Sequence, residues 1–100
     1  MRVVGAGLVR DFIAGASTDS AGAAASWLAE ARAGRWQSKE DVLSRYRDLT
    51  SAGCDVLVFG LGGSECVVAR VDYGTGLVMV KHVGERGAVT FGAPASRGRR

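Results

Sequence analysis

The chain has 100 residues, enough for one domain that buries roughly two-thirds of the surface of its unfolded chain. Its 47% apolar and 23% charged residues are typical of a soluble globular protein and exclude a disordered or fibrous chain. No apolar stretch approaches the ~20 residues of a membrane span, and the N-terminus has no secretory signal, so we expect a cytoplasmic protein without membrane contact. With two cysteines, no Cys-x-x-Cys spacing and one histidine, we expect no metal and no other cofactor.

The formal net charge of +3 is supplied by Arg97, Arg99 and Arg100. The remaining residues carry ten basic and ten acidic side chains and are therefore neutral as a whole. A basic tail can follow the phosphate backbone of a nucleic acid, and the glycines and proline around it favour disorder while nothing is bound. We expect a single domain over residues 1–91 and a basic, flexible tail over residues 92–100.

The N-terminal part predicts a short strand followed by a helix. Met1–Val4 is rich in β-branched residues, as is common for an edge strand. The glycine-containing turn that follows superficially matches a dinucleotide-binding turn, but no second strand follows until Val56, so a strand-to-helix connection is the better interpretation. The first helix is predicted from an apolar stripe of Leu8, Val9, Phe12 and Ile13.

Two further helices are predicted before the sheet. From about Ser20 to Ala33, apolar residues recur with helical spacing at Ala24, Trp27, Leu28 and Ala31. A third helix begins at the N-cap residue Ser38, which opens a variant of the capping box, and runs to about Arg47. We interpret Asp48–Gly53 as a loop that leads into the sheet.

Three apolar stretches between Asp55 and Gly84 predict consecutive antiparallel strands, because glycine-containing turns separate them. The turn Gly74–Gly76 has the composition of a tight hairpin. The sequence therefore predicts an α+β fold: a short N-terminal strand, then three helices packed on a mainly antiparallel sheet with a C-terminal three-stranded meander. We expect the core to contain Trp27, Leu28, Phe59, Val68, Val78 and Val80.

Candidate functional residues are few. No Ser or Cys accompanies the histidine as a hydrolase triad requires, and the glycine-rich turn Gly60–Glu65 lacks the lysine and helix of a phosphate cradle. What remains is a cationic group near one edge of the sheet, Arg70, Lys81, His82 and Arg86. Basic side chains on exposed strands often serve solubility alone. Arg86 stands out because it follows the last strand, where functional groups commonly lie.

Several short motifs follow one another along the chain: M-R-V-V, Trp27, Trp36-Gln37-Ser38, Asp41-Val42, Val58-Phe59, Gly62-Gly63, Tyr73 and Val83-Gly84. Their order and spacing from Met1 to about Phe91 resemble the HigB type of bacterial toxin, in the RelE/ParE-like fold group. The resemblance implies three helices on an antiparallel or mixed sheet. It also implies a metal-independent endoribonuclease that cleaves mRNA, often at the ribosome, and that is silenced by a HigA-like helix-turn-helix antitoxin.

The chain departs from this family at several positions that handle RNA. An Asn, an Arg, a His and a Tyr usual in the family are absent, and this chain has Gly60, Ser64, Cys66, Val67, Glu85, Arg86, Val89 and Thr90 at the positions concerned. One replacement favours catalysis, because related RelE toxins carry a catalytic arginine after Val-Gly-x, the position of Arg86. Lys81 also keeps a basic charge where the family often has arginine.

The chemistry of metal-free RNA cleavage, in which the 2′-hydroxyl attacks the adjacent phosphate, gives the cationic residues their roles. Arg86 would stabilise the charge of the phosphorane-like transition state, and Lys81 or His82 would bind phosphate or transfer a proton. The side chains expected to bind RNA are Arg70, Arg97, Arg99 and Arg100. A first alternative is a nuclease-dead member of the family that binds an antitoxin or RNA. A second is an unrelated small α+β interaction domain.

Overall fold

The computed structural model describes residues 1–53 and 55–85. Within these residues, three helices and five strands follow one another as β1 (Arg2–Val4), α1 (Ala6–Gly15), α2 (Thr18–Ala33), α3 (Lys39–Arg45), β2 (Leu49–Ser51), β3 (Val56–Gly60), β4 (Glu65–Asp72) and β5 (Leu77–Glu85). The predicted α+β class is confirmed. The predictions for Arg86, Arg97, Arg99, Arg100 and the tail 92–100 lie outside the described residues. No described helix has both the length and the apolar character needed to cross a membrane.

The five strands form one sheet in the order β1-β5-β4-β3-β2. β1 pairs with β5 in parallel, and all other neighbours are antiparallel, so the predicted meander β3-β4-β5 is confirmed. The prediction of a loop at Asp48–Gly53 is wrong, because Leu49–Ser51 pairs with β3 as an edge strand. This strand has three residues and two of them are exposed, so its sequence carries no strand pattern and its pairing supplies the hydrogen bonds.

All three helices contribute to a core on one face of the sheet. The predicted core residues Trp27, Leu28, Phe59, Val78 and Val80 lie in this main cluster. Phe59 is at its centre, with ring centroids 5.3 Å from Trp27, 5.8 Å from Trp36 and 5.2 Å from Tyr46. Two expectations are wrong in part. Val68 is buried, but on the opposite face, and Leu8 is exposed although it belongs to the predicted stripe of α1.

A side-chain cap sets the start of α3, and one long-range hydrogen bond joins α2 to the sheet. Ser38 Oγ accepts from the backbone N–H of Asp41 at 3.1 Å, which confirms the predicted start of α3. The helix ends at Arg45, two residues earlier than predicted, because Tyr46 is extended and turns its ring onto the core. Ser20 Oγ donates to Oε1 of Glu65 at 2.7 Å and so joins the first turn of α2 to the start of β4.

Candidate functional site

One face of the sheet carries no described helix, and we call it the helix-free face. Side chains alternate between the two faces of a strand. Because Leu57, Val67 and Ala69 lie in the main core, their neighbours along β3 and β4 point the other way. The helix-free face is made of Arg2, Val4, Thr50, Val56, Val58, Gly60, Cys66, Val68, Arg70, Asp72, Leu77, Met79, His82 and Gly84.

A β-bulge decides which residues of β5 lie on this face. The register changes from Ala69 opposite Val80 to Val68 opposite His82, so Lys81 is an extra residue in β5. With strict alternation, His82 would share the core-facing side of Val80. The bulge turns His82 to the helix-free face and returns Val83 to the main core. Bulges of this kind often redirect a side chain beside a functional site.

The imidazole of His82 is held by the end of its own strand. Its Nε2 lies 3.2 Å from the carbonyl oxygen of Glu85. A carbonyl oxygen only accepts hydrogen bonds, so this contact places a hydrogen on Nε2. In the neutral ring Nδ1 is then the unprotonated nitrogen, which can accept a hydrogen bond or a proton. Gly84 between them has a φ of 148°, which allows the chain to fold back toward the ring.

Arg70 lies on the same face as His82. It is exposed on the central strand β4, between Val56 on β3 and Met79 on β5. Since Val68 is opposite His82, Arg70 is a diagonal neighbour of the imidazole, a relation in which side chains are typically ~7–8 Å apart. A long guanidinium side chain reaches across that distance. No ion pair joins Arg70 to another residue in the part of the chain that the structure describes.

The structure brings together some of the sequence-predicted site residues. Arg70, Lys81 and His82 lie on neighbouring strands, and Lys81 is exposed at the bulge. Arg70 is in the interior of the sheet and not near an edge as expected. Lys81 and His82 do lie along a side of β5 that no described strand pairs with, because β1 pairs only with residues 77–79. The positions of Arg86, Arg97, Arg99 and Arg100 stay predictions.

Sequence reasoning missed one basic residue and the bulge. Arg2 is exposed on β1, and its alternation with the half-buried Val3 puts it on the helix-free face. The only acidic side chain at a helix-free position of the described strands is Asp72, whose Oδ1 accepts from the backbone N–H groups of Gly74 and Thr75. The described part of this face is therefore net basic. In the sequence, the bulge is indicated by the polar pair Lys81-His82 between the apolar residues Val80 and Val83.

One described cleft lies on the helix side of the molecule and is a poor candidate site. It has a volume of about 520 Å³ and runs between the end of α2 and α3. The Tyr46 hydroxyl there donates to Oε1 of Glu30 at 2.9 Å, and burial together with this carboxylate raises the pKa of the phenol. Arg45 is paired with Asp41 at 3.3 Å. These polar groups of the cleft are thus paired with neighbouring side chains, and none of the predicted site residues lines the cleft.

One of two comparisons with known proteins identifies a family. A comparison with curated proteins gives no match. The HigB_toxin family model, described as the RelE-like toxic component of a toxin–antitoxin system, matches residues 20–85. The match extends from the first turn of α2 to the end of β5 and so includes the bulge, Arg70 and His82. Because the match covers well over half of the chain, the protein belongs to the HigB family of RelE-like toxins, the toxic components of toxin–antitoxin systems.

Proposed function

We propose that this toxin is a metal-independent endoribonuclease that cleaves mRNA at the ribosome, and that a HigA-like helix-turn-helix antitoxin silences it in the cytoplasm. Membership of the toxin family implies an antitoxin partner and supports the remainder of this proposal. The observation that carries it is the bulge at Lys81, which turns His82 to the same face as Arg70. A basic nitrogen and a guanidinium are thereby presented together on a net basic surface.

The proposed reaction uses the RNA 2′-hydroxyl as its nucleophile. The 2′-oxygen forms a bond to the adjacent phosphorus, the bond from phosphorus to the 5′-oxygen breaks, and the products are a 2′,3′-cyclic phosphate and a 5′-hydroxyl. Nδ1 of His82 accepts the proton of the 2′-hydroxyl while its Nε2–H stays bonded to Glu85, and the departing 5′-oxygen takes a proton from solvent water to become the 5′-hydroxyl. Guanidinium groups, Arg70 in the described part and Arg86 beyond it, stabilise the extra negative charge of the transition state. Lys81 binds a neighbouring phosphate.

A second candidate function is binding without cleavage. It is favoured by Cys66 and Val67, which stand where the family has a Tyr or Leu followed by an Arg. Both side chains are completely buried, so neither is presented to RNA. Gly60, at a family Asn position, offers no side chain at all. A toxin fold that lacks these side chains would bind an antitoxin or RNA and leave the RNA uncleaved.

The two functions are separated by mapping RNA ends. Purified protein is incubated with free mRNA in EDTA and, separately, with mRNA on ribosomes in a buffer that contains Mg²⁺, and the RNA ends are sequenced. Cleavage with 2′,3′-cyclic phosphate ends supports the proposal, and His82→Gln should reduce it ~10²–10⁴-fold because proton transfer is lost. Arg10→Ala, a change on the helix side, serves as the control. Retained RNA binding with no cleavage under either condition would favour the binding function. Co-purification with the product of a neighbouring helix-turn-helix gene tests the antitoxin.

A further inference from the structure

Gly84 lies against the imidazole of His82 on the helix-free face. A Cβ added to Gly84 would lie 3.5 Å from Nε2 and 3.6 Å from Cε1 of this ring. Apart from the two chain neighbours of Gly84, no other described residue comes within 4 Å of that Cβ position. The ring edge formed by Nε2 and Cε1 therefore faces the backbone of Gly84.

The same ring edge is bonded to the residue that follows Gly84. Nε2 of His82 lies 3.2 Å from the carbonyl oxygen of Glu85, so one hydrogen bond closes a small loop from His82 to Glu85. Gly84 is inside this loop, and its φ of 148° is one that L residues with a side chain rarely adopt. The direction of the Glu85 carbonyl thus depends on a residue without a Cβ.

The pairing of β4 with β5 holds this loop from the other side. Gly84 is opposite Cys66 in the ladder, and Glu85 is opposite Glu65. The backbone that carries the Glu85 carbonyl is therefore anchored to the sheet. Two separate devices act on the imidazole, because the bulge at Lys81 sets the face on which the ring lies, and Gly84 sets the direction in which its nitrogens point.

The contact with the Glu85 carbonyl distinguishes the two tautomers of the ring. A carbonyl oxygen accepts hydrogen bonds and cannot donate, so a hydrogen on Nε2 is bonded. With the hydrogen on Nδ1 instead, the lone pair of Nε2 would face the lone pairs of the carbonyl oxygen. No hydrogen bond joins Nδ1 to a residue in the part of the chain that the structure describes. The ring is thus held with Nδ1 unprotonated.

We propose that Gly84 is a positioning residue, which orients the His82 imidazole so that Nδ1 and not Nε2 is the proton acceptor. The catalytic part of this proposal rests on the proposed function, in which His82 takes the proton of the 2′-hydroxyl. The orientation of the ring does not depend on that reaction. An L residue at position 84 moves the backbone away from its positive φ and the Glu85 carbonyl away from Nε2, and both tautomers then become populated.

Nitrogen-15 NMR of the full-length protein measures the tautomer directly, because His82 is the only histidine of the chain. At about pH 8.5, well above the ordinary pKa of imidazole, the wild type should show a protonated Nε2 and an unprotonated Nδ1. Gly84→Ala should move both nitrogen signals toward the average of the two tautomers. If the wild type lacks the hydrogen on Nε2, or if Gly84→Ala leaves both signals unchanged, the proposal is wrong.

Two matched variants separate the role of Gly84 from general backbone strain. Gly53 also has a positive φ, 124°, but a Cβ there would meet no described residue. Gly53→Ala should therefore leave the nitrogen signals of His82 unchanged. Glu85→Gln alters the side chain, keeps the backbone carbonyl and should leave them unchanged as well. Equal changes of the signals in Gly53→Ala and Gly84→Ala would overturn the proposal.

Gly84→D-Ala keeps the proposal testable where Gly84→Ala does not fold. The substitution is introduced by chemical ligation at Cys66, and circular dichroism confirms the fold. A D residue favours positive φ, so the loop from His82 to Glu85 should keep its shape and the wild-type nitrogen signals should be retained. Nitrogen signals of the folded D-Ala variant at the average of the two tautomers would show that the backbone at residue 84 does not orient the ring.

Cleavage kinetics connect the orientation of the ring to the reaction. Gly84→Ala should lower kcat roughly 10–10²-fold with KM nearly unchanged, because a small misplacement of a catalytic group costs up to about that factor. Gly53→Ala should keep both constants. A wild-type kcat in Gly84→Ala, together with altered nitrogen signals, overturns the catalytic part of the proposal. If the wild type itself cleaves no RNA, the proposed function fails, and the NMR comparison still decides whether Gly84 orients His82.

Discussion

The hydroxyl of Tyr46 donates a hydrogen bond to Oε1 of Glu30 at 2.9 Å and thereby ties the end of α3 to the last turns of α2. The ring of the same tyrosine meets Phe59 edge-on, with centroids 5.2 Å apart. A single side chain thus connects two helices to strand β3. Its position also makes it sensitive to alkaline pH.

Burial and the Glu30 carboxylate raise the pKa of the Tyr46 phenol above its ordinary value of 10.0. The folded protein therefore keeps this proton at pH values where the unfolded chain loses it. The stabilising contribution is complete below about pH 10 and falls as the pH rises toward the folded pKa. Tyr46→Phe should lower the free energy of unfolding by about 1 kcal/mol near pH 7. The difference in the free energy of unfolding between the variant and the wild type should shrink above pH 10. Urea titrations at pH 7, 9 and 11 measure this difference. A difference independent of pH would contradict this account.

Tyr73 provides a contrasting case. Its hydroxyl is buried and has no hydrogen-bond partner among the described residues. Removing an unsatisfied buried hydroxyl removes a desolvation cost. Tyr73→Phe should therefore be neutral or stabilising near pH 7, in contrast to Tyr46→Phe. Thermal unfolding of the two variants in parallel compares them, and a loss of more than about 1 kcal/mol in Tyr73→Phe would show that the hydroxyl has a partner.

Gly5 is required at the junction of β1 and α1. Its φ is 86°, and a Cβ at this position would lie 2.8 Å from the carbonyl oxygen of Val80. Gly5→Ala should destabilise by at least ~1–2 kcal/mol, from the left-handed backbone alone. Gly22 is the matched control, because it is exposed in α2 and has open space around it. Gly22→Ala should stabilise by about 0.5–1 kcal/mol. Equal effects of the two changes in denaturant titrations would refute this assignment.

Most of the fold follows from local patterns in the sequence. The helical spacing of Ala24, Trp27, Leu28 and Ala31 identified the buried face of α2, and all four residues are buried. The capping pattern at Ser38 located the start of α3. The edge strand β2 was missed because it is short and largely exposed, so its pairing depends on β3 rather than on its own residues. Val68 was expected in the main core because both faces of β4 are apolar, and alternation alone does not say which face meets the helices.

The candidate site was harder to predict. Composition identified Arg70, Lys81 and His82 as candidates, but strict alternation from Val80 puts His82 in the core. One extra residue in β5 reverses this assignment, and a bulge arises from pairing with β4, which a single strand does not specify.

Arg70 should contribute to RNA affinity and not to stability. It is exposed on the helix-free face and makes no ion pair with a described residue, so Arg70→Ala leaves no partner unsatisfied. Loss of one phosphate contact on single-stranded RNA should lower the slope of log affinity against log salt by ~0.7. Arg10→Ala on α1 is the control and should leave the slope unchanged. Fluorescence anisotropy from 50 to 200 mM salt measures both, and equal slopes in all three proteins would remove Arg70 from the RNA-binding surface.

Arg86 is the strongest test of the proposed catalysis. The resemblance to RelE toxins puts a catalytic arginine at this position, directly after β5, whose bulge presents His82. Removal of one donor to the transition-state charge typically costs ~10²–10³ in rate, so Arg86→Ala should slow RNA cleavage by that factor and relieve growth arrest. Arg99 is also basic and follows in the same segment. Arg99→Ala should change the salt dependence of RNA affinity and leave the cleavage rate at saturating RNA unaltered. A wild type that arrests growth and cleaves RNA is the starting condition. If Arg86→Ala then cleaves at the wild-type rate, the charge is stabilised elsewhere, and if the wild type binds RNA without cleaving it, the binding function is correct.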